Sequence, residues 1–148
     1  MKINIETFKN YKVVDKKKLG EYIDLCSSKK DNKKIKFKTE LHHILPKALF
    51  PIFSDLKENI WNGVYLTYKD HYVAHALLAE ALDNLSMTAA WWEINNLYQK
   101  SEKLSEPKEI IGSERYNILR EQAIREIIFQ FPKKDFDKNS SKDTLPIQ

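Results

Sequence analysis

From Asp15 to Ser28 the apolar residues Leu19, Tyr22, Ile23 and Cys26 recur at helical spacing, and Asp15 stands where an N-cap belongs. The polar stretch from Ser27 to Lys34 ends that pattern and reads as a loop. From Ile35 to His43 the period drops to two. Ile35, Phe37, Thr39 and Leu41 alternate with Lys36, Lys38, Glu40 and His42, which predicts a strand. Pro46 and Pro51 open an irregular connection to about Trp61. Asn62-Gly63 then reads as a turn, and Val64 to Thr67 as a second short strand. Beyond Tyr68 the period is helical again: His71, His75, Leu78 and Leu82 share one face, with Thr67 as the cap. Ser86 to Tyr98 predicts a further helix capped by Ser86, and Ser113 to Phe131 another, striped by Tyr116, Leu119, Ala123 and Ile127. A break at Glu106-Pro107 separates these two helices. The fold class expected is α+β and mostly helical: a strand–strand–helix unit over about 35–83, an N-terminal helix before it and C-terminal helices after it.

The length of 148 residues suits one domain, expected over 1–131. The polar lysine- and aspartate-rich stretch 132–148 reads as a disordered tail. Charged residues of both signs make up 31%, which argues against disorder of the whole chain. With no apolar run of 18 residues and no signal-peptide pattern, the chain is expected to be cytoplasmic and to have no membrane partner. Its one cysteine, Cys26, excludes an intrachain disulfide and a zinc site built from several cysteines, and reads as a buried thiol.

Charge is unevenly spread. Residues 1–40 hold 12 lysines against 6 acids, a balance of +6, whereas residues 41–131 come to −3. A basic arm beside a histidine cluster suits a polyanion; a solvated lysine face is the plainer explanation. Arginine occurs only at 115, 120 and 125, so phosphate contact by lysine is favoured over reading of base edges.

All four histidines fall into one arrangement, the doublet His42-His43 and the pair His71 and His75. Imidazoles one helical turn apart can converge on one ion. The zinc-protease pattern would place a glutamate directly after the first of them, and here that residue is Tyr72. In an extended chain His42 and His43 point to opposite faces, so they should not share one job unless the chain bends. Trp91 and Trp92 read as helix packing rather than a base-stacking surface.

Glu40-Leu41-His42-His43-Ile44-Leu45-Pro46, together with Asn62 and the segment Leu66 to His75, resembles the HNH, or ββα-metal, endonuclease family in its phage-type branch. The same residues are similar to the nuclease domains of DNase colicins. The likeness covers residues 40–82; residues 84–148 match nothing assigned. It implies a DNA phosphodiesterase with His43 as general base, Asn62 fixing that base, and His42, His71 and His75 as ligands of one divalent metal. Asn59 is a fallback for Asn62. Three neutral imidazoles suit Zn, Ni, Co or Mn, while many relatives use Mg. Glu40, on the strand face of His42, is expected to orient His42 or a phosphate-binding basic residue; Lys47 and Lys69 are candidates for phosphate contact. Asp70 reads as a first-turn helix acid. After Pro46 the family's glycines are replaced by the apolar run Lys47 to Phe53, which is expected to pack against the helices. The implied partner is DNA, held mainly by its phosphates, in a bacterial host of a phage; a homodimer is left open. The competing expectation is a non-catalytic nucleic-acid-binding domain with a structural metal.

Overall fold

The computed structural model describes residues 1–129. The expectation of a disordered tail over 132–148 therefore lies outside the described residues, as does the end of the predicted 113–131 helix. Five helices and one small sheet follow in the order α1 (Lys16–Ser28), β1 (Thr39–His43), β2 (Gly63–Thr67), α2 (Tyr68–Ala81), α3 (Leu85–Lys100), α4 (Pro107–Ile111) and α5 (Ser113–Ala123). A π-helical turn, Ile124–Ile128, extends α5. The class is thus α+β and mostly helical among the described residues. No helix there is long and apolar enough to cross a membrane.

Local chemistry sets the ends of the elements that carry the histidines. Asp15 accepts a hydrogen bond from the Lys18 amide at 3.0 Å and starts α1. Thr67 does the same for α2 through the Asp70 amide at 3.2 Å. β1 and β2 pair antiparallel, with Glu40 opposite Leu66, His42 opposite Val64 and His43 opposite Gly63. Thr67 ends β2 and caps α2, so the chain passes from sheet to helix with no loop between.

Two predicted boundaries are corrected. The strand expected from Ile35 begins only at Thr39. The Ile35 carbonyl accepts from the Lys38 and Thr39 amides at 3.0 and 2.9 Å, and the Thr39 hydroxyl accepts from the Ile35 amide at 2.9 Å. These bonds close a turn over an alternating sequence. The cap of α3 is Asn84 rather than Ser86; its side chain accepts from the Met87 amide, so the helix starts earlier.

α2 is buried on two sides. Ala74, Leu77, Leu78 and Ala81 face a first core with Leu19, Tyr22, Cys26, Leu45, Val64 and Leu66. Tyr72, Ala76 and Ala79 face a second core with Trp91, Ile94, Tyr98, Leu119 and Ile127. Alanines on both faces let α1 and α3 approach closely. Trp91 is fully buried, which makes it a packing residue as expected. The segment after Pro46 packs into the first core, where Leu49 joins the buried residues of α1 and α2, while Phe50 meets the rings of Phe8 and Tyr11 and Phe53 meets Trp61. Backbone bonds latch residues 12–15 to the end of α2. The Val14 and Asp15 amides reach the Ala81 carbonyl at 2.8 and 3.2 Å, and the Asp83 amide reaches the Lys12 carbonyl at 3.0 Å.

Candidate metal centre

β1 and the first two turns of α2 bring three imidazoles together. His42, His71 and His75 each offer a ring nitrogen, and the three atoms lie within 4.8 Å of one another. Their ring centroids are 4.8 to 5.3 Å apart. His42 is buried at 3% exposure on the strand face that packs toward α2.

The hydrogen bonds decide which nitrogens are free. The Tyr22 hydroxyl donates its one proton to the Ile44 carbonyl at 2.5 Å, so at 2.7 Å from His42 Nε2 it must accept. His42 therefore carries its proton on Nε2 and keeps a lone pair on Nδ1. His71 Nδ1 lies 3.0 Å from Glu40 Oε1, and a carboxylate only accepts, so His71 keeps its lone pair on Nε2. His75 Nε2 sits 3.2 Å from that nitrogen. Two nitrogens about 2.0–2.1 Å from one tetrahedral cation would stand about 3.3–3.4 Å apart. The His71–His75 spacing fits a divalent cation, and the three histidines together could hold one ion.

Burial keeps the rings neutral, which a ligand requires. It pushes His42 well below the ordinary histidine value, helped by the neighbouring His75, His71 and His43. Burial and the nearby His71 lower His75 to about 3. Burial also lowers His71, against the opposing pull of Glu40.

Glu40 meets His71, not His42. Both lie on the inner strand face, but the carboxylate reaches across to α2, where His71 stands one turn from His75. Its Oε2 accepts from Lys103 Nζ at 2.8 Å, and Oε1 also accepts from the Tyr98 hydroxyl. Burial alone would raise the Glu40 carboxyl; hydrogen bonds from Lys103, Tyr98 and His71 overcome it and hold the group at about 2. The Lys103 ammonium also lies 5.0 Å from the Tyr68 ring centroid and 5.6 Å from that of Tyr98.

His43 stands outside the three-nitrogen set. Its Nε2 donates to the Ser54 carbonyl at 2.9 Å, which leaves Nδ1 with the lone pair. It nonetheless faces the same cleft of about 230 Å³ as His42, His71 and His75, because β1 ends at His43 and the chain bends there.

Asn62 is fully buried, and its hydrogen bonds go to the backbone rather than to the His43 ring. Its carbonyl accepts from the Ile44 amide at 2.8 Å. Its side chain accepts from the Leu45 amide at 2.7 Å and donates to the Leu45 and Phe53 carbonyls at 3.2 and 3.1 Å. It thereby staples the loop whose Ser54 carbonyl holds His43. Any hold on His43 is indirect, one residue removed from the expected contact. Asn59 is half-buried and donates to the Asp55 carbonyl instead.

Lys47 lines the cleft; Lys69, exposed on the first turn of α2, does not. Asp70 lies in that turn 3.7 Å from Lys29, in the structural role expected of it. Arg115 is bound to Glu80 at 2.9 and 2.7 Å. Four participants escaped the sequence reading of the site: Tyr22, Ser54, Tyr98 and Lys103. Tyr22 carried a usable signal, since a tyrosine on the buried face of α1 must find a polar partner. Ser54 acts through its backbone, and the other two come from a region without a motif.

In this α+β fold one strand and one helix bring three histidines together in a cluster that could hold a metal ion. No family model matches the chain, and no solved structure does. Two curated proteins of Enterobacteria phage T4 are similar to part of it. Probable mobile endonuclease C is 38% identical over 61 residues, 41% of this chain and 27% of that protein. Probable mobile endonuclease D is 36% identical over 74 residues, 49% of this chain and 27% of that protein. The chain thus spans about a quarter of the length of these relatives.

Proposed function

We propose that the chain is a metal-dependent endonuclease of the HNH type, with its ββα-metal core in β1, β2 and α2 and a single domain over 1–131. The observation that carries this reading is the division of four histidines in one cleft. Three bring ring nitrogens together, and the fourth is tied to a backbone carbonyl with one nitrogen free. The similarity to two phage endonucleases supports nuclease activity, with DNA as substrate.

His42 Nδ1, His71 Nε2 and His75 Nε2 are the atoms that would hold the cation, with Zn, Ni, Co or Mn suited to the donors and Mg the alternative. Once bound, the ion would supply Lewis acidity to a phosphate oxygen. The protein's own residues do the rest. His43 Nδ1 accepts the proton of the attacking water, and the Ser54 carbonyl steadies the Nε2–H as the ring gains charge. Asn62 keeps the loop that presents Ser54 in place. Glu40 fixes the orientation of His71, and Lys47 at the cleft edge holds a phosphate by point charge.

A second reading has one observation in its favour. The relatives are about four times as long as the matched segment, so their activity can reside elsewhere. The chain would then be a DNA-binding domain with a structural metal. His43 separates the two readings. In the endonuclease, His43→Ala keeps fold and metal and loses cleavage of supercoiled plasmid by at least about 100-fold. The assay is run with Mg, Mn, Ni and Zn in turn, and with chelator. Full cleavage by His43→Ala refutes the base; absence of cleavage by the unaltered protein with every metal favours the binding domain.

A further inference from the structure

The turn that shortens β1 has an unusual residue at its tip. Phe37 has φ of +66°, the left-handed region that glycine and asparagine favour and a bulky aromatic side chain rarely enters. Its side chain is 79% exposed, so packing does not force it there. Bonds between Ile35, Lys38 and Thr39 hold the turn closed beneath it. Around it, residues 33–38 hold Lys33, Lys34, Lys36 and Lys38 and no acid. The Lys36 ammonium lies over the Phe37 ring, 5.1 Å from its centroid, and the ring's wide exposure leaves room for a second planar group.

We propose that Phe37 is a stacking platform for an unpaired DNA base, with the four surrounding lysines holding the flanking phosphates. The chemistry selects this partner. A protein pocket would have to bury four ammonium groups with an apolar ring, whereas a nucleic-acid strand offers a π face beside each phosphate. The location suits it as well. β1 leads from this turn to the histidines, and from Thr39 to His43 it covers about 13 Å, so a strand seated at Phe37 is within a few nucleotides of the cleft. The inference rests on the nucleic-acid reading of the site but not on catalysis.

The test measures binding of a single-stranded oligonucleotide carrying 2-aminopurine, and of the matching duplex, at several salt concentrations. A His43→Ala background prevents cutting, while plasmid cleavage by the unaltered chain tests the nuclease reading separately. Phe37→Asn suits the left-handed turn better than phenylalanine does, so it should melt no lower than its parent. It should nevertheless bind the single strand roughly 5- to 160-fold more weakly, the range for loss of one stacked base. Phe37→Trp should restore affinity and keep the 2-aminopurine quenching that Phe37→Asn loses. Replacing the four lysines by serine should flatten the salt dependence by about 0.7 in log–log slope for each lost phosphate contact. Unchanged affinity in Phe37→Asn overturns the inference, as does equal dependence on Phe37 for a fully paired duplex. A loss of affinity explained by a lower melting temperature overturns it too.

Discussion

The two cores that meet on α2 contribute unequally to the site. The first, built by α1, the hairpin and one face of α2, carries all three clustered histidines, His43 and Asn62. The second, built by α3 to α5 on the other face, brings Trp91, Tyr98 and Lys103. It supplies no candidate ligand, yet two of its residues fix the carboxylate that aims His71. Ligand atoms and ligand orientation thus have separate origins in the chain. A metal site can depend on a region that displays no metal-binding residue.

Substitutions on each side can break or sharpen that contrast. The largest effect is expected at Trp91, fully enclosed in the second core. Trp91→Ala should cost about 3–5 kcal/mol, read by denaturant unfolding. Because α2 is shared, loss should come in one transition at all probes. A separate, unshifted transition for the histidine-bearing side would mean that the two cores are independent.

Next comes Asn62→Ala, on the first side. It removes three side-chain hydrogen bonds and strands the buried Leu45 amide, for about 2–3 kcal/mol. The loop holding Ser54 loosens with it, so plasmid cleavage should fall more than metal content does. An equal fall in both would place Asn62 in service of the ligands rather than of His43.

Glu40→Gln probes the bridge between the two sides. Metal affinity, followed by calorimetric titration, should weaken by about 10- to 100-fold with little change in melting temperature. Lys103→Met should show a smaller loss in the same direction, since the ion pair is part-exposed. If Glu40→Gln leaves affinity intact, the second core is packing and nothing more.

The smallest effect at neutral pH appears only on acidification of metal-free protein. His75 is held to about 3 in the fold, while an unfolded histidine protonates near 6.5. The unfolded chain therefore binds more protons in that window, and stability falls as pH drops from 6.5 toward 3. Glu40, held at about 2 against an ordinary 4.5, removes stability in the same direction between 4.5 and 2. Saturating metal should shift the onset of this loss to lower pH. Melting curves across pH, with and without metal, would show the difference, and coincident curves would contradict the neutral-ligand picture.

The same asymmetry marks what could be read from the amino acids. Asp15 and Thr67 announced their helices because a cap is a local event. The histidine doublet and the i, i+4 pair announced their convergence because strand and helix periods fix which faces meet. The turn at 35–38 was hidden, since Ile35, Phe37, Thr39 and Leu41 alternate as a strand would. Only the bonding between Ile35 and Thr39 reveals otherwise. Ser86 reads as the cap of α3, but the Asn84 side chain takes the Met87 amide and starts the helix earlier. Glu40's true partners lie 31, 58 and 63 positions away, beyond any spacing rule. Ser54 contributes a carbonyl that any residue could offer.

The latch between residues 12–15 and the end of α2 matters for anyone handling the protein. Trimming the leading segment past Lys12, or splicing a fusion partner into it, would unfasten the helix bearing His71 and His75 from below. Affinity handles belong ahead of Ile5, where the chain is not yet part of that fastening.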